Sequence, residues 1–423
     1  MPAPSRRSFL GGVLAGLTLP AGASWAIGSD DRLMLVITAA GGWDVTYAFD
    51  PKPGIQGIDG PEVDATDEPG DVEAVQTIAG MPLMTNLLKR PAVSSFFDAW
   101  GHRAAIVNGI WVGAIGHTSC TVRMLTGTGS GARPDVSVIA GHELGGSAPL
   151  GSVDFSGFGF SGDLAVSNGR MGSRGQARAL VERWASLPHP DGRQPIAFDP
   201  ALQAAIDART LARGEAIRGV HPGTRSQDQL DDLAEAIDRA QRLRAQGLPL
   251  DALGVGAEAS PATLGAVITD LFDQGLCRAA MFDSGSQWDT HYATAPQHAY
   301  YQSLFADLHG LVDELERRGL LDRVLICVVS EMTRTPLRNA LLGKDHWPHT
   351  SALFIGGGVK GGRVRGGTDD QLESLPVDLA TGELDPSGQL IRYDNLAAGL
   401  LDHLGVDSEA WFPGITPFRG LSA

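Results

Sequence analysis

The chain has 423 residues, 43% hydrophobic and 6% aromatic, with 55 Gly and 25 Pro, which supplies a large core and excludes a small stapled domain or a wholly disordered chain. Its 33 Lys plus Arg against 49 Asp plus Glu give a net charge of −16 at pH 7, which opposes general attraction to nucleic acid or to an anionic membrane surface. Cys120, Cys277 and Cys327 cannot all pair within one chain and show no CxxC or clustered Cys/His spacing, so neither a disulfide framework nor a thiolate zinc site is indicated.

Arg6-Arg7-Ser8-Phe9-Leu10 precedes an apolar, small-residue run from Gly11 to about Gly22, followed by Ala23-Ser24-Trp25-Ala26. This order resembles a twin-arginine export signal with a small-x-small cleavage site, so residues 1–26 are set apart from the fold. The run is short for a permanent membrane span, and no later segment replaces it. The resemblance implies passage through the twin-arginine export machinery to the periplasm or the exterior, with a retained signal anchor as the alternative. Substrates of that route travel folded, often with a cofactor already loaded, which favours a metal.

The remaining chain, residues 27–423, reads as one domain. Residues 32–38 form a continuous apolar run suited to a strand covered on both sides, leaving through Gly41-Gly42-Trp43-Asp44. Residues 50–76 are acidic and rich in Gly and Pro and predict a long surface excursion. A second buried strand is expected at 104–108, and the glycine-dense stretch 113–175 predicts loops around short helices. Residues 198–216 and 226–246 carry apolar side chains at helical spacing, the second helix capped by Ser226, and make a helical insertion at about 198–250. Then come a helix at 262–274, a strand at 278–282, a helix at 298–318 and a strand at 323–329. A last strand at 351–355 runs into Gly356-Gly357-Gly358, and a packing helix at 394–404 is followed by Trp411 and Phe412, which pin the tail. Strands alternating with helices, each strand continuously apolar, predict an α/β fold: a doubly wound, mostly parallel sheet with helices on both faces.

Polar residues collect where the predicted strands end, and in open α/β sheets those ends form the binding crevice. Asp44 follows the first strand; Asp283, Asp289 and His291 follow the strand near 278; Glu331 follows the strand near 324. Asp345, His346 and His349 precede the strand near 352. Asp289 and His291, two apart, point the same way in extended backbone. Carboxylates and neutral imidazoles suit Zn²⁺ or Mn²⁺, with Ca²⁺ or Mg²⁺ as the choice of an oxygen-rich subset. The competing reading is a set of helix caps and satisfied polar groups. Gly356-Gly357-Gly358-Val359-Lys360-Gly361-Gly362 lacks the Gly-Lys-Ser/Thr of a phosphate loop and predicts a flexible turn near the site.

The twin-arginine start, Gly41-Gly42-Trp43-Asp44, Trp288-Asp289-Thr290-His291, the stretch Ser330 to Pro336 and Gly343-Lys344-Asp345-His346 together resemble a family of exported bacterial proteins known only as a domain of unknown function. That family looks like a distant branch of the alkaline phosphatase and sulfatase superfamily. The resemblance spans roughly residues 31–420 and implies an alkaline-phosphatase-like fold with one or two divalent metal ions over the strand ends. It implies Asp44 as the first metal's carboxylate, Asp289 and His291 as early ligands of the second, Glu331 as the late carboxylate and His346 as the late imidazole. Met332 stands where the superfamily has a histidine, so Asp345 or His349 is expected to compensate, or one metal site to be lost.

His117-Thr118-Ser119-Cys120 through Leu125-Thr126-Gly127 resembles the sulfatase segment that opens with the nucleophile, whose position falls on His117. Thr118 or Ser119, at a helix start whose free amides favour an anionic group, is one candidate nucleophile, and a water with His117 as ligand or base is the other. The bland alternative is a buried histidine before a helix N-cap. Arg334 is expected to hold an anionic oxygen or to pair with Glu331. The leading expectation is a metal-dependent hydrolase of phosphate or sulfate esters acting on an anionic or envelope-derived substrate. The alternatives are a non-catalytic envelope protein binding carbohydrate or a partner, and metal-independent hydrolysis through Ser119 or Cys120.

Overall fold

The structure, a computed structural model, describes residues 31–61, 70–146, 148–170, 200–220, 223–245 and 259–422. The signal-like segment 1–26, the middle of the acidic excursion and the edges of the helical insertion lie outside the described residues.

The centre of the molecule is β1 (Leu33–Thr38), buried throughout, as its unbroken apolar run requires. It pairs in parallel with β7 (Ala279–Asp283) on one side and with β8 (Val324–Val329) on the other. Beyond β7 the sheet continues through β5 (Ser152–Asp154) and β6 (Asn168–Arg170), both parallel. Beyond β8 lies β11 (His349–Gly356), then β4 (Ala104–Trp111), with β12 (Arg363–Gly366) and β13 (Ile391–Arg392) both pairing β4. Among the described strands of this sheet only β11 runs against the direction of the rest.

That one reversal decides the geography. The C-terminal ends of β1, β4, β7 and β8 and the N-terminal end of β11 share one edge, so residues preceding β11 join those that follow the others. It also corrects the glycine loop. Gly356-Gly357-Gly358 leaves β11 at the opposite edge, far from the predicted crevice, and is a tight turn: all three have positive φ, and a Cβ on Gly357 would lie 2.7 Å from the Leu325 backbone.

Alternate residues of β1 feed two cores, as a pleated strand covered on both faces must. Leu33, Leu35 and Ile37 pack with Phe96 and Phe97 of α1 (Pro91–Trp100), Leu264 and Ile268 of the helix Pro261–Asp273, and Tyr301 and Phe305 of the helix Pro296–Arg317. Met34 and Val36 pack with Met124 and Leu125 of α2 (His117–Thr126), Val138 and Ile139 of α3 (Val136–Gly145), and Leu396 and Leu401 of the helix Tyr393–His403. Each such buried aliphatic side chain contributes about 1.5–3 kcal/mol relative to exposure. Helices on both faces of a mostly parallel sheet make this the doubly wound α/β architecture.

The helical pair is α4 (Pro200–Val220) and α5 (Thr224–Ala245), joined by Arg218, whose guanidinium reaches Gln227 at 2.7 Å and Asp231 at 2.6 Å. Ser226 lies inside the first turn of α5 rather than capping it. The helices named above at 261, 296 and 393 are α6, α7 and α8, and α9 (Ser408–Trp411) ends the chain's regular structure. A hairpin of β2 (Ala74–Ile78) and β3 (Met81–Thr85) closes the acidic excursion, so residues 74–76, which composition assigns to surface loop, are strand. Among the described residues no helix is long and apolar enough to cross a membrane.

Candidate metal centre

Three loops deliver side chains to the shared edge. The exit of β4 turns into α2, whose first residue is His117. The exit of β7 carries Asp289 and His291. The exit of β8 carries Glu331 and a two-residue strand, β9 (Thr333–Arg334), which pairs antiparallel with β10 (His346–Trp347) so that His346 stands opposite Arg334. Close approach of these loops depends on glycines. A Cβ on Gly41 (φ +116°) would lie 2.7 Å from Asp289 N, and one on Gly343 would lie 2.0 Å from His291 O.

One ligand atom from each of His117, Asp289, His291 and His346 lies within 4.8 Å of the others. His291 Nε2 is 2.9 Å from His346 Nε2 and 3.1 Å from Asp289 Oδ1. Asp289 Oδ2 is 3.5 Å from His117 Nε2, and its Oδ1 is 3.7 Å from His346 Nε2. A tetrahedral ion with bonds of about 2.0–2.1 Å has ligand-to-ligand edges of about 3.3 Å, and these separations bracket that value.

The three imidazoles are aimed by what lies behind them. His117 Nδ1 is 2.8 Å from Glu331 Oε1, His291 Nδ1 is 2.8 Å from Asp345 Oδ1, and His346 Nδ1 is 2.7 Å from the Ile115 carbonyl. Each Nδ1 has an acceptor, and with its proton on Nδ1 each ring turns an unprotonated Nε2 to the common centre. This is how proteins fix the tautomer and direction of metal-binding histidines. Among the described residues the buried His117 Nε2 has no hydrogen-bond partner, as expected of an atom that faces a cation; the buried Asp44 Oδ2 also lacks one, but it has the Lys344 ammonium 2.8 Å away. The donor set therefore fits a divalent ion of the Zn²⁺ or Mn²⁺ kind.

Electrostatics follow from the same contacts. The hydrogen bond to Glu331 raises the His117 imidazole above its ordinary value, against the pull of burial. Burial pushes the Asp289 carboxyl up, but Arg334, His117 and His291 together outweigh it and hold the group below the usual carboxylate range. His291 lowers Asp345, and burial lowers His346.

The structure does not bring every predicted residue into this cluster. Asp44 is fully buried, with Oδ2 2.8 Å from Lys344 Nζ and Oδ1 accepting from Thr46 N at 3.1 Å and Thr46 Oγ1 at 2.7 Å. A lysine ammonium, itself fully buried and donating to Asp59 O at 2.6 Å, thus meets the carboxylate that sequence reasoning gave to a metal. Glu331 and Asp345 stand behind histidines. His349 turns away: its Nδ1 accepts from Ser374 N at 3.1 Å and lies 2.6 Å from Ser374 Oγ. Asp283 faces Thr38, 2.8 Å away, and Met332 is fully buried in the core on the α2 face.

Arg334 is not available to a substrate as expected. Its side chain is wholly buried and donates to the carbonyls of Gly41, Gly42 (2.8 Å), Trp288 (3.2 Å) and Lys344 (3.2 Å), and to Asp289 Oδ1 (2.7 Å). It ties the loops after β1 and β7 to the strand ribbon that carries His346. Thr118 and Ser119 are exposed in the first turn of α2; Ser119 Oγ donates to Gly116 O at 3.0 Å, and among the described residues no base is hydrogen-bonded to the Thr118 hydroxyl. Cys120 is buried, its thiol pushed by desolvation up to about 12, so it offers no thiolate at neutral pH.

Residues 31–415, carrying all of these side chains, match the family described as "Protein of unknown function (DUF1501)". The chain belongs to that family. No curated protein matches this DUF1501 chain. Solved structures similar to it include a protein in the alkaline phosphatase superfamily from Vibrio parahaemolyticus, at 10% identity and TM-score 0.36 over 89% of this chain and 67% of that one. PsFucS1 sulfatase from Pseudoalteromonas sp. is similar at 12% identity and TM-score 0.39, over 93% of this chain and 72% of that one. The lipoteichoic acid synthase LtaP from Listeria monocytogenes is similar at 8% identity and TM-score 0.37, over 93% and 75%. Nothing about the activity of the DUF1501 chain follows from likenesses at this level.

Proposed function

We propose that this chain is an exported, metal-dependent hydrolase of phosphate or sulfate esters, a distant branch of the alkaline phosphatase and sulfatase superfamily with a single metal centre. The observation that carries the reading is the convergence of three Nε2 atoms and one carboxylate, each imidazole held from behind by its own acceptor. His117, Asp289, His291 and His346 would hold the ion. Bound there, a divalent cation supplies Lewis-acid polarisation of an ester oxygen and offsets the charge that develops on it.

The chain's own groups do the rest. The first-turn amides of α2, which have no intrahelical carbonyl to bind and no side-chain cap, would be donors for an anionic oxygen beside His117. Glu331 keeps the His117 proton on Nδ1. Arg334 fixes Asp289 and the loops around it. Since Thr118 has no base and Ser119 is turned to Gly116, water is the attacking group in this reading. Lys344 neutralises Asp44 with a side-chain cation, which is why one metal rather than two is proposed. Catalysis requires a ligand position beyond the four side chains, so a coordination number above four is expected.

Metal analysis of the purified protein, with assays on 4-nitrophenyl phosphate, bis(4-nitrophenyl) phosphate and 4-nitrophenyl sulfate, tests the proposal. About one equivalent of metal with turnover is expected, both lost in Asp289→Ala and His346→Ala. A well-folded wild type that takes up no divalent metal would sink the reading in favour of a non-catalytic role. Export by the twin-arginine route predicts that Arg6→Lys with Arg7→Lys leaves the protein in the cytoplasm.

A further inference from the structure

The loops that aim the ligands also carry exposed apolar side chains. Among the described residues, Ile115, Tyr292, Leu337, Leu341 and Leu342 are 56–77% exposed, while the other exposed large hydrophobics scatter over the β2–β3 hairpin region, the helical pair and Leu384. Ile115 gives its carbonyl to His346 Nδ1 at 2.7 Å. Tyr292 follows His291 directly, and Gly343, next to Leu342, packs so closely that a Cβ there would lie 2.6 Å from Tyr292 N.

The leucines are held rather than loose. Asn339 N donates to Gly343 O at 2.8 Å, and Asn339 Oδ1 accepts from Leu341 N at 2.9 Å and Gly343 N at 3.2 Å. Asn339 Nδ2 donates to His291 O at 3.0 Å and to Asp345 Oδ1 at 3.2 Å, so one side chain couples the leucine loop to the metal-facing imidazole. Leu342 sits at φ +63°, a region bulky side chains avoid. A hydrogen-bonded loop that displays leucines in water beside a cation-binding cluster lacks a packing reason for them.

We propose that the substrate is amphiphilic: an ester whose anionic group sits at the His/Asp centre and whose hydrocarbon or aryl group lies along Ile115, Tyr292, Leu341 and Leu342. The inference rests on the ester-hydrolase reading of the centre. The cation-binding cluster and the exposed apolar side chains share the same loops, as the two ends of one such molecule require. An anionic membrane surface is a poorer match, because the chain's net charge of −16 opposes it and Arg338, the cation on this loop, turns inward to Gly60 O at 2.8 Å.

Isothermal titration of the full chain loaded with Zn²⁺ tests this, using methyl and octyl phosphate below the micelle concentration and the matching sulfates. Octyl esters should bind at least tenfold more tightly than methyl esters. The Leu341→Ser/Leu342→Ser variant should bring that ratio within about twofold while leaving methyl ester binding unchanged, and Ile115→Ser, on a separate loop, should narrow it even if the double variant fails to fold. Methyl esters bound with no gain for octyl would overturn this inference alone. Zn²⁺ bound with neither ester recognised would overturn the ester reading and this inference with it. Co-sedimentation with phosphatidylcholine vesicles, or a dimer by light scattering, abolished by the double variant without any octyl preference, would assign the rim to a membrane or to a second copy and overturn the proposal.

Discussion

Glu331 holds His117 from behind, with Oε1 2.8 Å from Nδ1 and the same oxygen accepting from Gly41 N at 2.8 Å. The carboxylate is buried, so its contact with the imidazole is little screened by solvent. Glu331→Ala should weaken metal binding by about 10–100-fold, the usual effect of removing such a partner, whereas Glu331→Gln, which keeps an acceptor, should cost only a few-fold. Competition against a chelator of known affinity measures both. Equal losses in the two variants would mean that Glu331 acts through its charge and not by aiming the ring.

Lys344 and Asp44 are both fully buried, 2.8 Å apart. Removing one partner of such a pair leaves an unpaired charge in the interior, at about 3–5 kcal/mol. Lys344→Met should therefore lower unfolding stability by that amount in denaturant melts, and Asp44→Asn added to it should restore part of the loss. If a metal held Asp44 instead, Lys344→Met would leave stability nearly unchanged and raise the metal content.

The strands were legible because each is an unbroken apolar run, and burial on both sheet faces demands one. The direction of β11 was not, since reversing a strand leaves its composition unchanged, and with it went the placement of Gly356-Gly357-Gly358. Asp289, His291 and His346 could be named because strand ends gather at one edge, and His117 because the segment it opens resembles the sulfatase one. His349 could be set apart from His346 in hindsight, since an odd separation in extended backbone turns side chains to opposite faces. No sequence signal marks Lys344 as the partner of Asp44, far away along the chain, nor the Ile115 carbonyl behind His346. The hairpin of β2 and β3 was hidden because its first strand alternates between partly exposed and exposed residues before Ile78.

Arg334 donates to four backbone carbonyls and one carboxylate, a pattern a planar guanidinium can serve and an ammonium cannot. Arg334→Lys should cost about 1–3 kcal/mol in stability, because buried carbonyls lose their donors, and weaken metal binding through the loosened Asp289. A variant with unchanged stability and only a raised KM would instead make Arg334 a substrate-binding group.

His349 should set part of the acid limit of the fold. Burial pushes its imidazole down to about 4, with the charge of Asp369 pulling the other way, and Ser374 N–H donates to its Nδ1. The unfolded chain carries an imidazole near 6.5, so between that value and about 4 the unfolded state binds the extra proton. Stability contributed by the neutral ring is thus complete above pH 6.5 and is lost as the pH falls toward 4, by about 1–2 kcal/mol with solvent screening allowed for. His349→Gln, which keeps an acceptor for Ser374 N–H, cannot gain that proton in either state. Thermal melts from pH 7.5 to 4.5 should show the wild type losing stability faster than the variant on acidification. A stability difference that stays constant across that range would remove His349 as the cause.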